Sequence, residues 1–350
     1  MNRRWICTDV WMDILPSFDR PKLGLQMALL SFRFDVLVDK HFDGKSELTI
    51  WREITIRNGK GSKAILFHWK HAKFPLPDCP LPNKIRFRFL RIEYIDHSVI
   101  TFLNANKQIW DRSGTYLYLS VWSYKTDKQQ IWDAFARQIW PIFATSIRHL
   151  NLYKCYILNN LLRLISPTLL TDLNQLTSIT SISLFPDVIA DDGPNATAGQ
   201  AVSKWLHTPS TDGQPKQLRC SNYSPNLKWI NNFKEIFLRA TASVSYEIRF
   251  GIRVTTPTEP FEWVNERTNE KLTLTKDGTV FWLLKRCPII GETATDQKQQ
   301  QKKDENLDYL NKVDFILNGN CIGPLSSPTD QSDEKVFSTP GPSDQRKKKN

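Results

Sequence analysis

The sequence lacks the features that mark membrane proteins, secreted proteins and disulfide-stabilised proteins. It has no run of about eighteen apolar residues, so we predict no membrane-spanning helix. The two N-terminal arginines are followed by the acidic residues Asp9 and Asp13 rather than by the apolar stretch of a signal peptide. The 6 cysteines are far apart and form no Cys-x-x-Cys pair, which predicts free thiols in a reducing compartment. We therefore expect an intracellular protein, in the cytoplasm, the nucleus or both.

The motifs of common catalytic and cofactor sites are absent as well. There is no GxGxxG, GxxxxGKS/T, GxSxG or HExxH pattern. His68 and His71 stand close together with Cys79 nearby, but they alternate with apolar residues in a predicted strand and lack an evident fourth metal ligand. We interpret them as surface or interface residues, and His149 as a hydrogen-bonded structural histidine. The prediction is a protein that is not an enzyme and needs no cofactor or metal.

Positive charge and aromatic side chains are what the sequence has in excess. The formal net charge is +11, and there are 12 Trp and 19 Phe. Part of the charge lies in the basic cluster at 346–349, which we interpret as a solvated tail, a nuclear-import signal or a nonspecific nucleic-acid contact. The aromatic residues do not interleave with basic residues as they do in RNA-recognition segments, so nucleic-acid binding is not predicted.

A repeat of one strand and one helix runs through the middle of the chain. The predicted strands centre on Leu90, Leu119, Leu152, Leu184 and Leu218, and successive differences of these residue numbers are 29, 33, 32 and 34. A steady period of this size is typical of a solenoid whose parallel strands line one surface. A doubly wound parallel sheet is the alternative. We favour the solenoid because the period is steady and no glycine-rich phosphate loop follows a strand.

The rest of the chain has different patterns, so the predicted fold class is α+β or α/β. Residues 8–45 read as three short helices, 46–82 as a β-rich connector and 83–242 as the repeat domain. Residues 243–290 read as antiparallel strands, with a turn at Asp277-Gly278, that cap the last repeat and protect its edge. Residues 291–350 have the composition of a mostly disordered tail, apart from an apolar segment at 307–317 predicted to dock or to form a transient helix.

The density of apolar residues in the first helices is the strongest functional signal. Three such short helices cannot bury all of this surface among themselves, so we expect a partner to cover part of it. The pattern resembles an F-box, with Thr8-Asp9-Val10-Trp11 in place of the usual opening Leu-Pro. The resemblance is carried, in order, by Ile14-Leu15, Phe18, Pro21, Leu23, Leu25, Leu29-Leu30-Ser31, Arg33-Phe34 and Leu37.

Three later segments, "PLPNKIRFRFLRIEYIDHSVITFL", "IWPIFATSIRHLNL" and "WLLKRCPI", resemble lineage-expanded F-box families with a divergent leucine-rich-repeat-like domain. This resemblance implies a substrate-recognition adaptor of an SCF-type cullin-RING ubiquitin ligase. The F-box would dock on a Skp-family adaptor, and the repeat domain would bind an unknown target protein.

Two alternatives to this interpretation stay open, namely a protein-binding scaffold with a degenerate F-box and an α/β enzyme.

The F-box interpretation predicts two sets of binding residues. The predicted target contacts are outward-facing positions on the repeat strands: Arg91, Tyr118, Tyr153 and Phe185. The predicted adaptor contacts are Trp11, Ile14, Leu15, Pro16, Phe18, Leu23, Leu25, Leu29, Phe34 and Leu37.

Overall fold

A computed structural model shows a mixed α/β fold with a large, mostly parallel sheet, preceded along the chain by a small helical unit. The described residues are 6–18, 22–43, 49–51, 54–60, 63–68, 73–77, 80–81, 85–122, 128–187, 189–221, 227–251, 259–289, 311–318 and 321–325.

The N-terminal helical unit, which comprises the described residues of 6–43, has a hydrophobic core of its own. Leu15, Leu23, Ala28, Leu37 and Val38 form this core. The unit contains the three short helical stretches that the sequence predicts. They are helix α1 (Thr8–Ile14) with a 3₁₀ turn (Leu15–Ser17), a π-helical turn (Leu23–Met27) with a 3₁₀ turn (Ala28–Leu30), and helix α2 (Phe32–Asp43).

The mixed α/β region opens with strands and then alternates strands with helices. The first strands are β1 (Thr49–Trp51), β2 (Ile54–Asn58), β3 (Ala64–His68) and β4 (Lys73–Pro75). The alternating part comprises β5 (Ile85–Phe87), β6 (Leu90–Ile92), α3 (His97–Ala105), α4 (Lys107–Ser113), β7 (Thr115–Trp122), α5 (Lys128–Ala134), a π-helical turn (Phe135–Ile139), α6 (Trp140–Phe143), β8 (Ile147–Leu152), α7 (Cys155–Leu164), α8 (Leu169–Asp172), β9 (Ser178–Ser181), α9 (Ala198–His207), β10 (Lys216–Cys220), α10 (Leu227–Arg239) and β11 (Tyr246–Gly251). The last strands are β12 (Phe261–Asn265), β13 (Glu270–Asp277), β14 (Phe281–Pro288) and β15 (Asn311–Asn318).

Local signals explain where several of these elements begin and end. The Asp96 carboxylate caps α3 by accepting a hydrogen bond of 3.0 Å from the amide of Val99. The helical stretch after β8 is broken near Pro167 into α7 and α8. Gly278 has a φ of 77° in the turn between β13 and β14, a conformation that glycine adopts without strain.

The large sheet has 13 strands in the order β12-β13-β14-β11-β10-β9-β8-β7-β15-β6-β2-β3-β4. The eight strands from β11 to β2 in this order are parallel, and antiparallel strands flank them at both ends. Among the described strands, β6 to β11 lie across the sheet in chain order, with β15 inserted between β6 and β7. A doubly wound sheet would reverse its strand order within such a run, and its ligands bind at that point.

Each parallel strand alternates between two different faces. One face, the helix face, carries apolar residues such as Leu117, Leu150, Leu218 and Ile248, all of which are fully buried. Helices cover this face, and its core extends through ring contacts such as that of Phe135 with Phe315, whose centroids are 5.2 Å apart. The opposite face carries polar side chains, and we call it the polar face.

The structure also corrects three predicted boundaries. β9 ends at Ser181, so Leu184 follows the strand rather than lying at its centre, although it is buried in the core. Residues of the predicted connector belong to the large sheet, because β2 pairs with β6. Within the predicted tail, residues 311–318 form β15 in the interior of the sheet. Residues 319–320 and most of the remaining tail lie outside the described residues, as do His71 and Cys79.

Candidate functional site

Two adjacent rows of polar side chains run across the polar face. The strand register aligns these side chains on neighbouring parallel strands. At about 4.8 Å per strand, the sheet from β6 to β11 is roughly 29 Å wide. The first row is Arg91, Asp314, Tyr118, Asn151, Thr180, Arg219 and Arg249. The second row is Lys312, Tyr116, His149, Ser178, Gln217 and Glu247.

A cluster of four residues on β7, β8 and β9 forms the centre of these rows. The rings of Tyr116 and His149 stack with centroids 4.3 Å apart and planes within 8° of parallel. The Asn151 amide donates a hydrogen bond of 2.7 Å to the Tyr116 hydroxyl. His149 Nε2 and Thr180 Oγ1 share a hydrogen bond of 3.1 Å. His149 is therefore a hydrogen-bonded structural histidine, as its position in a repeat strand predicts.

The electrostatics of this cluster keep its ionisable groups neutral. Burial, assisted by the positive charges of Arg219 and Lys312, lowers the pKa of His149 to about 3. Burial also raises the pKa values of the Tyr116 and Tyr118 hydroxyls. At neutral pH the cluster thus offers aromatic surface and neutral hydrogen-bonding groups, and His149 is not poised to act as an acid or base.

Charges of both signs surround the central cluster. Arg57 Nε lies 2.8 Å from Glu93 Oε2, and Arg249 Nε lies 2.5 Å from Asp277 Oδ2. Asp314, the second residue of the first row, adds a carboxylate between Arg91 and Tyr118. A face with charges of both signs and partly exposed aromatic side chains differs from the uniformly basic surface that a polyanion requires.

The polar face contains two of the four predicted target contacts. Arg91 and Tyr118 lie in the first row, and Tyr153, which directly follows β8, is also half-buried. Phe185 was predicted wrongly, since it is 6% exposed and its ring contacts Trp229 at 4.6 Å between centroids. The reason is that β9 ends before Phe185, so strand alternation no longer determines where its side chain points.

Sequence reasoning missed several members of the two rows. Asn151, Thr180 and Arg219 each stand one residue from a buried apolar position of their strands, so alternation alone could have identified them. Lys312 and Asp314 alternate with Val313 and Phe315 in the same way, but their segment was predicted to dock or to form a transient helix rather than a strand of the sheet.

A second candidate surface lies on the N-terminal helical unit. Of the predicted adaptor contacts, Leu15, Leu23 and Leu37 lie in the unit's own core and are at most 4% exposed. Burial inside the unit makes these three unavailable to a partner in this conformation. Trp11, Ile14, Phe18 and Phe34 are half-buried, Pro16 is exposed, and the side chains of Leu25 and Leu29 lie outside the described residues.

Other apolar residues of this unit face the solvent. Phe32 is 84% exposed and Leu30 is 64% exposed, while Ile6, Val10 and Val36 are each more than two-fifths exposed. The Arg33 guanidinium donates a hydrogen bond of 2.7 Å to the Ile6 carbonyl, which holds the start of α1 beside the start of α2. We call Ile6, Val10, Leu30, Phe32 and Val36 the exposed apolar set.

None of the helices in the described part of the chain is both long enough and apolar enough to cross a bilayer. No protein-family model, curated protein or solved structure matches the chain.

Proposed function

We propose that this chain is a non-catalytic target-recognition subunit of an SCF-type cullin-RING ubiquitin ligase. The N-terminal helical unit would act as an F-box and dock on a Skp-family adaptor. The sheet would be a leucine-rich-repeat-like solenoid whose polar face binds the target protein. The observation that carries the proposal is the exposed apolar set, on the unit whose sequence pattern resembles an F-box.

The separate core of the unit supports a docking role. Leu15, Leu23 and Leu37 already stabilise it from inside, so the exposed apolar residues are not needed for its internal packing. Phe32 and Leu30 are large apolar side chains that are exposed to water, and this exposure is unfavourable in free energy. A partner that covered them would remove this cost. Covering a few hundred Å² of apolar surface at ~25 cal/mol per Å² offers several kcal/mol before the cost of association is subtracted.

The polar face supports the target-binding role. It combines aromatic side chains with hydrogen-bonding groups and paired charges, the composition typical of protein interfaces. Arg91 and Tyr118 lie on it and are half-buried, so each can lose further surface when a partner binds.

In such a subunit catalysis would arise from positioning alone. A target held on the polar face would have its lysines brought close to a conjugating enzyme recruited through the adaptor, which raises their effective concentration. No side chain of the chain itself would take part in the chemical step.

Co-purification of the full chain with a Skp-family adaptor tests the docking role. We expect the wild type to retain the adaptor and the double variant Leu30→Ser/Phe32→Ser to lose most of it. Gln26→Ser, an exposed polar position of the same unit, is the matched control and should bind as the wild type does. Circular dichroism checks that each variant is folded. Failure of the folded wild type to bind would favour the scaffold interpretation, in which the protein binds targets without a ligase.

A further inference from the structure

β15 occupies an interior position that its place in the chain does not suggest. It begins at Asn311, which is 189 residues after β7 ends at Trp122 (311 minus 122). It nevertheless pairs in parallel with β7 along its whole length, and with β6 on its other side. Without it, β6 and β7 would be two strand spacings apart, about 9.6 Å, too far to pair directly. The rest of the sheet therefore leaves a gap of one strand.

The helix face of this gap selects apolar side chains at alternate positions. Val313, Phe315 and Leu317 point to this face and are at most 1% exposed. The Phe315 ring packs edge-on against Phe135 and Phe143, with centroid distances of 5.2 Å and 5.9 Å. An occupant of the gap needs apolar residues with this period of two.

The N-terminal end of the gap recognises an asparagine side chain. Asn311 Nδ2 donates a hydrogen bond of 2.8 Å to the Ile109 carbonyl, and Asn311 Oδ1 accepts one of 3.2 Å from the Phe87 amide. The Asn311 amide donates to the Gly114 carbonyl. These contacts fix the register of the strand, because a shift by one residue would break all of them.

Beyond β15, backbone hydrogen bonds hold residues 321–325 against 95–97. The Ile95 amide donates to the Cys321 carbonyl at 2.6 Å, the Gly323 amide donates to the Ile95 carbonyl at 2.8 Å, and the His97 amide donates to the Pro324 carbonyl at 2.9 Å. The segment 311–325 is thus anchored at both ends.

We propose that the gap between β6 and β7 is a strand-acceptor site. Its ligand class is an extended peptide of pattern Asn-x-Val-x-Phe-x-Leu with a glycine at the position of Gly323, six residues after the leucine. Its resident occupant is residues 311–318 and 321–325 of the same chain. The strand-acceptor site does not depend on the proposed ligase role. Only its effect on target binding rests on that role, because Lys312 and Asp314 of the inserted strand belong to the polar face.

Chain connectivity fits insertion as a late step. All other strands in the described part of the chain precede residue 289, so they are synthesised before the segment that fills the gap. The 21 residues from 290 to 310 can reach at most about 70 Å when fully extended, which is ample for the last strand to enter from outside.

Peptide exchange into the intact protein tests this proposal. A full-length chain with a protease site substituted within 295–303 is cleaved, and a fluorescent peptide of residues 307–325 is added in excess. We expect the native fragment to remain bound through gel filtration and the labelled peptide to replace it faster than the protein unfolds globally. Exchange at the global unfolding rate would overturn the proposal, as would loss of the fragment on cleavage with an unchanged circular dichroism spectrum.

Variant peptides give the matched control without altering the host protein. A Phe315→Ala peptide should bind at least about tenfold more weakly, since it leaves a cavity between Phe135 and Phe143. A Lys312→Ala peptide, altered on the polar face, should bind within about twofold of the wild-type peptide. Equal weakening by the two changes would contradict recognition through the helix face. Strand-exchanged dimers of the uncut chain would support the same site, with a second copy as donor.

Discussion

Glu270 and Arg286 form an ion pair that is almost wholly removed from water, with Oε2 and Nη2 2.6 Å apart and side chains 0% and 1% exposed. Glu270 Oε1 also accepts hydrogen bonds from Ser243 Oγ and the Val244 amide, and Arg286 Nη2 donates to the Ala242 carbonyl. The pair therefore joins the antiparallel cap to the chain between α10 and β11. Each buried charge depends on its partner for compensation.

Replacing Arg286 with Met should be strongly destabilising. The change leaves the Glu270 carboxylate buried without its cation, and we expect the free energy of unfolding to fall by about 3–5 kcal/mol. Denaturant unfolding monitored by circular dichroism measures this loss. Lys285→Met is the matched control, because the neighbouring Lys285 lies on the polar face, 4.0 Å from Glu247, and should cost about 1 kcal/mol or less. Similar losses for the two variants would contradict this account.

Stability should depend on His149 in mildly acidic solution. Its pKa is about 3 in the folded protein and about 6.5 in the unfolded chain, so the unfolded chain binds more protons between these values. The contribution of neutral His149 is fully present above pH 6.5 and is lost as the pH falls towards 3. Relative to a His149→Gln variant, the wild type should lose about 2 kcal/mol of unfolding free energy between pH 7 and pH 5. Parallel pH profiles for the two proteins would show that His149 does not titrate in this way.

Gly323 should tolerate no side chain. A Cβ at this position would overlap the Tyr94 hydroxyl and press on its ring, and Tyr94 is only 2% exposed and cannot move aside easily. We expect Gly323→Ala to lower the melting temperature and to weaken retention of the C-terminal fragment after cleavage. Tyr94→Phe removes the overlapping oxygen, so in the Tyr94→Phe background the same alanine substitution should cost less. An equal cost in both backgrounds would rule out this contact as the cause.

Phe185 and Tyr118 should behave oppositely on substitution, although both were predicted to contact the target. Phe185→Ala removes a ring packed against Trp229 and Phe250 and should cost about 3–5 kcal/mol of stability. Tyr118→Ala, on the polar face, should cost less than half as much and should instead weaken capture of target proteins by the full chain. Thermal unfolding together with affinity capture separates the two effects, and a Phe185→Ala variant of wild-type stability would disprove its core position.

Local patterns determined much of the fold. Alternating apolar residues around Leu119, Leu152 and Leu218 predicted three of the parallel strands, because a strand with one buried face needs a period of two. Capping at Asp96, the break near Pro167 and the turn at Gly278 depend on backbone chemistry within a few residues. Such features can be predicted without knowledge of the tertiary structure.

The candidate surfaces were predicted less completely. Arg91 and Tyr118 were correctly predicted to point away from the helix face, because strand alternation holds there. Leu15, Leu23 and Leu37 were expected at a partner surface, but they pack against one another instead. An amphipathic pattern shows that a residue will be buried, and it does not show whether its own chain or a partner buries it.

The sequence by itself therefore determined most of the alternation of strands and helices before residue 289, the antiparallel end and the unusual apolar content of the first helices, since these follow from side-chain periodicity and turn chemistry. Only the tertiary structure decided that residues 311–318 enter the sheet between β6 and β7. That insertion depends on hydrogen bonds and packing with residues about 200 positions earlier, and the polar flanks of the segment carry no local sign of it. The same long-range pairing placed Lys312 and Asp314 beside Tyr116 and Tyr118, and thereby completed the polar face.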